Sequence, residues 1–296
     1  MKLLRLMVGV LAALLLLGSV AGAQTDEISA PLELIPWSPL AAPTESLPAW
    51  QRYSRAMTEV AAGTPVIALL IDDMGEARAW SQRATALPGP LTMAYFPHAP
   101  DVAAQVEAAR AAGHELMMHL PMQPDSADED PGPNALVLGL DDSELDRRVL
   151  AMLDSFTGYV GVNNHMGSRF TQDMAAMEMV LTRVDERGLL FVDSRTAANT
   201  VGERIARSLS IPTLRRDVFI DNDSDTGEIT ARLAELEALA RKRGFAVGIA
   251  HPRPATLDVL EKWLPEALAR GVVLAPISAI IGRDPDVDVA QKAATP

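Results

Sequence analysis

Short apolar runs alternate with amphipathic segments along most of this chain. Several of the runs are rich in β-branched residues and are bounded by polar or turn-forming residues, which is typical of buried strands. The clearest run, VIALLI, leads directly into two adjacent aspartates. We predict strands at 66–71, 91–96, 115–120, 159–163, 189–193, 213–220, 245–250 and 272–275.

The amphipathic segments between the runs predict helices. Residues 142–156 follow Asp141, and Glu144 stands three residues later, which is the pattern of a capping box. Residues 226–243 have helical spacing and are followed by Gly244, a residue that commonly ends helices.

Strands that alternate with helices predict a mainly parallel α/β sheet. Seven or eight such units between residues 64 and 282 predict a distorted (β/α)7-8 barrel. A doubly wound open sheet is the alternative fold.

The N-terminal segment 1–23 predicts a secretory signal peptide. Lys2 and Arg5 precede a short apolar stretch, and small residues up to Ala23 form a cleavage site. The apolar stretch is short for a bilayer, which needs about 20 residues. The alternative is that this segment is not cleaved and anchors the protein in the membrane. No other contact with a membrane is predicted.

The remaining boundaries follow from composition. Residues 24–63 are rich in Pro, Ala and Ser and predict a linker or wrapping arm. Residues 64–282 carry the strand and helix pattern and predict the folded domain, and residues 283–296 predict a disordered tail.

Charge and cysteine content narrow the function classes. The formal net charge is -13, with no Lys/Arg-rich stretch, so nucleic acid is not expected as a partner. The chain has no cysteine, so a metal site would use Asp, Glu and His. A signal peptide without disulfides is compatible with a periplasmic or secreted protein.

Polar residues cluster where the predicted strands end. Four of the five histidines lie at or just beyond a strand's carboxyl end. In parallel α/β folds, active sites are built at that edge. The strand-end residues are Asp72, Asp73, His98, His119, Asn163, Asn164, His165, Asp193, Asp221 and His251.

One aspartate and two neutral imidazoles form a common catalytic site for zinc or a similar divalent ion. Such an ion activates water and polarises a carbonyl, while a second carboxylate accepts the proton and a histidine protonates the leaving group. The Asp72–Asp73 pair fits this division into ligand and base. Alternatively, the aspartates cap the next helix and the histidines are hydrogen-bonded core residues.

Five ordered motifs resemble the divergent polysaccharide deacetylase family: IDDMG, GHELMMHLPM, NNHMGSRFT, FVDSRT and IAHPRP. The resemblance covers residues 64–282. It implies a metal-dependent carbohydrate N-deacetylase with a distorted (β/α) barrel. It further implies that Asp72 is the catalytic base, Asp73 and His119 bind the metal, and His251 is the general acid.

The sequence departs from this family's pattern at one ligand. The second metal histidine usually stands four residues after the first, and that position is Gln123 here. His165, in the NNHMGS motif on the next strand, is the candidate replacement.

Five further residues are candidates for supporting the site or binding substrate. Asp193 either orients a ligand histidine or caps the following helix. The others are Asn164, Arg169, Arg253 and His98, for which loop hydrogen bonding is the alternative role.

The sequence therefore predicts an exported hydrolase that uses a divalent metal, Zn2+, to deacetylate an N-acetylated envelope glycan. The alternative is a periplasmic glycan-binding or regulatory protein on a deacetylase fold, with an envelope protein as partner. Hydrolysis of another ester or amide at the same site is the third hypothesis.

Overall fold

The computed structural model describes residues 47–55, 57 and 60–283. The predicted signal peptide 1–23, most of the linker 24–63 and the tail beyond residue 283 lie outside the described residues, so these boundaries remain predictions. Among the helices of the described part, none has the length and apolar character needed to cross a membrane.

The described residues form a single curved parallel sheet with helices packed around it, which confirms the predicted distorted barrel. The strands are β1 Val66–Met74, β2 Thr92–Tyr95, β3 Glu115–Met122, β4 Gly161–Met166, β5 Leu190–Asp193, β6 Thr213–Arg215, β7 Val218–Phe219, β8 Phe245–Ala250 and β9 Val273–Leu274. The α-helices are α1 Ala49–Arg52, α2 Arg78–Thr85, α3 Val102–Ala111, α4 Asp142–Leu153, α5 Met174–Glu186, α6 Gly202–Ser208, α7 Thr226–Arg243, α8 Pro254–Ala269 and α9 Ile277–Ile280. Short 3-10 helices span Phe170–Gln172 and Ile281–Arg283.

The capping signals set the helix ends. Asp141 accepts a hydrogen bond from the backbone N–H of Glu144 at 2.8 Å, which confirms the predicted start of α4. Helix α7 ends at Gly244, whose φ of 89° lies in the left-handed region that favours glycine.

The sheet is open between β6 and β7. Its strand order is β6-β5-β4-β3-β2-β1-β8-β7, and β9 pairs with β1. The prediction of one strand over 213–220 is therefore wrong, because the chain changes from one sheet edge to the other in its middle. The Arg216 N–H donates to Asp193 on β5, whereas the Asp217 N–H donates to Val247 on β8. We call this junction the seam.

Alternate residues of each strand face two different cores. On β1, Ile67, Leu69 and Ile71 pack in the core that contains the helices, whereas Leu70 packs in the core inside the barrel. Both faces are buried, which explains the continuous apolar runs in the sequence. Because side chains alternate along a strand, the core in which a neighbouring apolar residue packs shows whether a polar side chain at the strand end points toward the helices or into the barrel.

The amino end of the barrel is closed by α9 and a buried carboxyl group. Glu115 Oε1 accepts hydrogen bonds from Thr92 Oγ1 and from the Ser278 backbone N–H, both at 3.1 Å. The Ser278 hydroxyl donates to the other carboxyl oxygen. Glu115 therefore joins β2 and β3 to the C-terminal helix at the end opposite the predicted site.

Part of the predicted arm packs against the domain. In α1, Ala49 and Trp50 are buried, and the Trp50 backbone N–H donates to the Gly188 carbonyl at 2.9 Å. This contact places the described residues 47–52 beside the start of β5.

Candidate metal centre and catalytic site

A β-bulge directs both aspartates of the IDDMG motif into the site. Between Ile71 and Met74, β1 contributes three residue steps where β2 contributes two. Both flanking residues pack in the helix-facing core, so the two residues between them share the interior side. Asp73 has a φ of 54°, a left-handed conformation that aspartate adopts more readily than most residues. In a regular strand, Asp72 and Asp73 would point to opposite faces.

Asp73, His119 and His165 bring three ligand atoms together. Asp73 Oδ1 lies 3.2 Å from His119 Nε2 and 3.0 Å from His165 Nδ1, and the two nitrogens lie 3.2 Å apart. In a tetrahedral zinc site with bonds of about 2.0–2.1 Å, neighbouring ligand atoms lie about 3.3–3.4 Å apart. The three residues therefore fit a divalent ion after small side-chain movements.

The environment of Asp73 also suits a cation. Its Oδ1 is buried without a hydrogen-bond partner among the described residues, although both imidazoles are near. Burial favours the protonated acid, but the interactions with His119 and His165 outweigh it and hold the pKa of Asp73 well below its usual value. An ionised oxygen that lacks a hydrogen-bond donor is a suitable metal ligand.

Asn163 fixes the orientation of His119. Its Nδ2 donates to both oxygens of Asp72, at 2.9 and 3.0 Å, so its Oδ1 is available as an acceptor. His119 Nδ1 lies 2.9 Å from that oxygen and must carry the proton. In the neutral imidazole, which is the form that binds a metal, the lone pair is therefore on Nε2, which faces Asp73.

His165 comes from the neighbouring strand, as expected for a replacement ligand. In the β3–β4 register, His119 is opposite Asn163 and Pro121 is opposite His165. Gln123 has a different role, because its Oε1 accepts a hydrogen bond from the Leu138 backbone N–H at 2.9 Å. This amide holds the loop after β3.

Asp72 is buried beside this cluster. Its Oδ2 lies 3.7 Å from His119 Nε2, and it is 2% exposed. Burial raises the pKa of Asp72, and the nearby positive charges of the imidazoles only partly offset that effect. A carboxyl group with a raised pKa is a better general base near neutral pH than an exposed one.

His251 approaches from the other side of the aspartates and is held by Asp221. Its Nδ1 lies 2.8 Å from Asp221 Oδ1, and its backbone N–H donates to Asp221 Oδ2 at 2.9 Å. Its Nε2 lies 3.9 Å from Asp73 Oδ2. Burial favours protonated Asp221, but the bonds from His251 and Thr256 and the nearby positive charges outweigh it and lower the pKa of Asp221.

Two predicted supporting residues face away from the ligand cluster. Asp193 follows Val192, which packs inside the barrel, so its side chain points toward the helices. There its Oδ2 accepts a hydrogen bond from the Glu203 N–H in the first turn of α6, which is the capping role. Asn164 bonds to Met166 and Thr196 and accepts from the Ser194 N–H, so it holds two loops together.

The other three candidates lie around the rim. His98 Nε2 lies 2.8 Å from Glu76 Oε1, and its ring stacks on Phe96 rather than joining the ligand cluster. Arg253 is exposed and donates to the Asp221 carbonyl at 2.9 Å. Arg169 is exposed in the turn after β4.

Three side chains beyond the predicted ligands, base and acid complete the site: Asn163 and Asp221, which are among the strand-end residues, and Phe96. The ring centre of Phe96 lies 5.3 Å from that of His119 and 4.8 Å from that of His165. The sequence does indicate the position of Asn163, because this residue stands two residues before His165 and therefore lies on the same face of the strand. Asp221 ends the 213–220 run, but nothing in the sequence indicates its contact with His251.

Comparison with known proteins identifies the family of the chain. The family model for divergent polysaccharide deacetylases matches residues 69–281. An uncharacterised Haemophilus influenzae protein is 34% identical over 200 residues, covering 67% of this chain and 70% of that protein. The uncharacterised Escherichia coli protein YibQ is 30% identical over 222 residues, covering 75% and 69%.

A solved structure has the same fold. The crystal structure of the uncharacterised Agrobacterium tumefaciens protein ATU2773 superposes with a TM-score of 0.76 at 28% identity, covering 80% of this chain and 96% of that one. The family match spans the bulged aspartates, the converging histidines and the Asp221–His251 pair. On these grounds, the chain belongs to the divergent polysaccharide deacetylase family.

Proposed function

We propose that this protein is a metal-dependent hydrolase that removes acetyl groups from an N-acetylated glycan. The observation that carries the proposal is the convergence of Asp73, His119 and His165 at the carboxyl end of the sheet. Asp72 and His251 flank that cluster: Asp72 Oδ2 lies 3.7 Å from His119 Nε2, and His251 Nε2 lies 3.9 Å from Asp73 Oδ2. A set of ligands with a base and an acid beside it matches amide hydrolysis.

The three clustered residues would hold the metal, and their Asp/His chemistry favours zinc. When bound, such an ion activates water and polarises the carbonyl that is attacked. Asn163 and Phe96 keep the two imidazoles in position for this role.

Asp72 serves as the general base. Both of its oxygens accept from Asn163 Nδ2, which holds the carboxylate plane in place. It takes the proton of the attacking water at one of these oxygens. Its burial favours acceptance of that proton, because the neutral acid is the better solvated form in an apolar interior.

His251 protonates the departing amine. The contact with Asp221 keeps a proton on Nδ1 and directs Nε2 toward the site. The buried Asp221 carboxylate also fixes the orientation of the ring, through its contact with Nδ1. Transfer of the Nε2 proton to the sugar nitrogen releases acetate and the free amine.

The proposed location is outside the cytoplasm, in the periplasm or medium, with an envelope glycan as substrate. The support is the sequence of residues 1–23, with its basic start, short apolar stretch and small-residue cleavage site.

The test is acetate release from N-acetylglucosamine oligomers by the zinc-loaded full chain. We expect Asp72→Asn to lower turnover about 10²–10⁴-fold while metal content is unchanged. Asp142→Asn, an exposed change at the start of α4, is the matched control and should keep its activity. Turnover that survives Asp72→Asn would contradict the assigned base, and glycan binding without acetate release would favour the binding-protein hypothesis.

A further inference from the structure

The seam between β6 and β7 carries two arginines that the proposed chemistry does not use. Arg216 is the first residue of the crossing from β6 to β7, and Arg195 follows β5 in the FVDSRT motif. Both side chains are half-buried. A half-buried guanidinium normally has a carboxylate partner, because burying an unpaired charge is costly.

Arg216 is held firmly but has no such partner. Its Nε donates to the Ser194 carbonyl at 2.7 Å, and Nη2 donates to the Arg195 carbonyl at 2.8 Å. Within the described chain, no carboxylate forms an ion pair with Arg216, and Nη1 has no hydrogen-bond partner. Two backbone bonds therefore fix the guanidinium plane and leave one edge available.

Arg195 adds a second positive charge at the same place. Its backbone is in the left-handed region, at a φ of 51°, and its side chain forms no hydrogen bond with any described residue. Burial lowers the pKa of Arg216 and the charge of Arg195 lowers it further, while Asp72 and Asp193 only partly offset this. Like charges without a bound anion are unfavourable, so the pair is suited to receive one.

The seam adjoins both proposed catalytic groups. On one side, the Arg216 guanidinium lies 4.8 Å above the Phe219 ring, whose centre lies 5.5 Å from that of His251. On the other side, Ser194 Oγ accepts from Asn163 Nδ2 at 3.2 Å, and the same nitrogen donates to Asp72. A substrate group at the seam would therefore lie next to the reacting acetamide.

We propose that Arg195 and Arg216 bind a carboxylate of the substrate. The inference rests on the proposed function and specifies its substrate class: an N-acetylated glycan with an acidic sugar or an acidic substituent next to the acetylated sugar. Guanidinium groups present paired N–H donors that match a carboxylate. Since the chain has a net charge of -13, the seam supplies the local attraction that such a glycan needs.

The test compares a charged probe with its neutral ester. One is a hyaluronan tetrasaccharide, in which glucuronate alternates with N-acetylglucosamine, and the other is its methyl ester. Binding is measured by calorimetry to the zinc-loaded full chain carrying Asp72→Asn, so that no turnover occurs. We expect the acid to bind about tenfold more tightly than the ester, and less so at high salt.

Further substitutions in the same Asp72→Asn protein test whether the preference for the acid comes from the arginines at the seam. Adding Arg216→Gln should bring the ratio of the affinities for acid and ester close to one. Adding Arg216→Lys instead should keep part of the preference for the acid, because the positive charge remains. Arg232→Gln, which removes an exposed arginine on α7, should keep the full ratio. If Arg216→Gln does not fold by circular dichroism, Arg195→Gln must lower the ratio instead.

An undiminished ratio in Arg216→Gln would overturn the inference, because the carboxylate would then bind elsewhere, for example at the metal. Equal binding of acid and ester, or no binding of either, would overturn it as well. The two proposals fail separately. If the unsubstituted protein binds the acid selectively but releases no acetate, only the proposed function is contradicted. If it releases acetate equally from the acid and the ester, only the proposed carboxylate binding by Arg195 and Arg216 is contradicted.

Discussion

Asn163 joins two groups with different proposed roles. Through one amide it donates to Asp72, the proposed base, and accepts from His119, a proposed ligand. The amide is fully buried, so water cannot replace these bonds. Its removal would leave a buried carboxylate and a buried imidazole without a partner, and the free energy of such groups is high.

We expect Asn163→Leu to reduce zinc affinity or turnover about 10–100-fold, as is typical when a residue that orients a ligand is lost. Zinc affinity is measured by competition with a chelator, and turnover by acetate release. Asn199→Leu, which replaces an exposed asparagine, is the control and should change neither. If Asn163→Leu matched the unsubstituted protein in both measurements, Asn163 would not orient His119.

At the scale of elements, the site depends on the bulge of β1 and the turn after it. Gly75 follows the bulge with a φ of 112°, and a Cβ at this position would lie 2.4 Å from the Ala99 Cβ. The turn must therefore pass very close to the loop that follows β2. A larger residue would push the bulge and the two aspartates out of place.

Gly75→Ala should lower the free energy of unfolding through both strain and collision. Gly113 is the matched control, because its φ is 93° but nothing lies within 4 Å of a Cβ there. We expect Gly113→Ala to cost about 1–2 kcal/mol from strain alone, and Gly75→Ala about 1–3 kcal/mol more. Urea unfolding measures both, and equal losses would show that the turn can relax.

The sequence predicts the elements well because apolar runs and caps are local signals. It predicts β1 and the end of α7, but not the break at Arg216, since TLRRDVFI has a strand-like composition throughout. The sequence does not predict the bulge either, because the pattern of apolar residues does not show which side of the sheet Asp73 faces. The helix-capping role of Asp193, in contrast, follows from its alternation with Val192 once the strand is recognised.

At the scale of the whole molecule, the barrel has a polar carboxyl end and a closed amino end. Glu115 is the buried acid at the closed end, where it holds Ser278 of α9 and Thr92 of β2. Burial raises its pKa above the usual value of 4.5, and the hydrogen bonds it accepts only partly offset this. No cation pairs with Glu115 among the described residues to lower that pKa.

Because the folded-state pKa of Glu115 is raised, its stabilising contribution is present below about pH 4.5 and lost as pH rises through the folded-state pKa. Glu115→Gln keeps a neutral side chain at every pH. We therefore expect the free energy of unfolding of Glu115→Gln, relative to the unsubstituted protein, to increase from pH 4 to pH 7 in urea unfolding. Glu129→Gln, an exposed control, should show no such trend. A difference that is independent of pH would contradict the buried-acid interpretation.

The central claim is that Asp73, His119 and His165 hold a catalytic divalent metal, and its most direct test is metal content. The full chain is purified without chelators, reloaded with zinc, desalted and analysed by elemental mass spectrometry beside Asp73→Ala and Asp72→Asn. We expect about one zinc per chain in the unsubstituted protein and in Asp72→Asn, and almost none in Asp73→Ala. Absence of stoichiometric metal from the unsubstituted protein, or its retention in Asp73→Ala, would contradict the account.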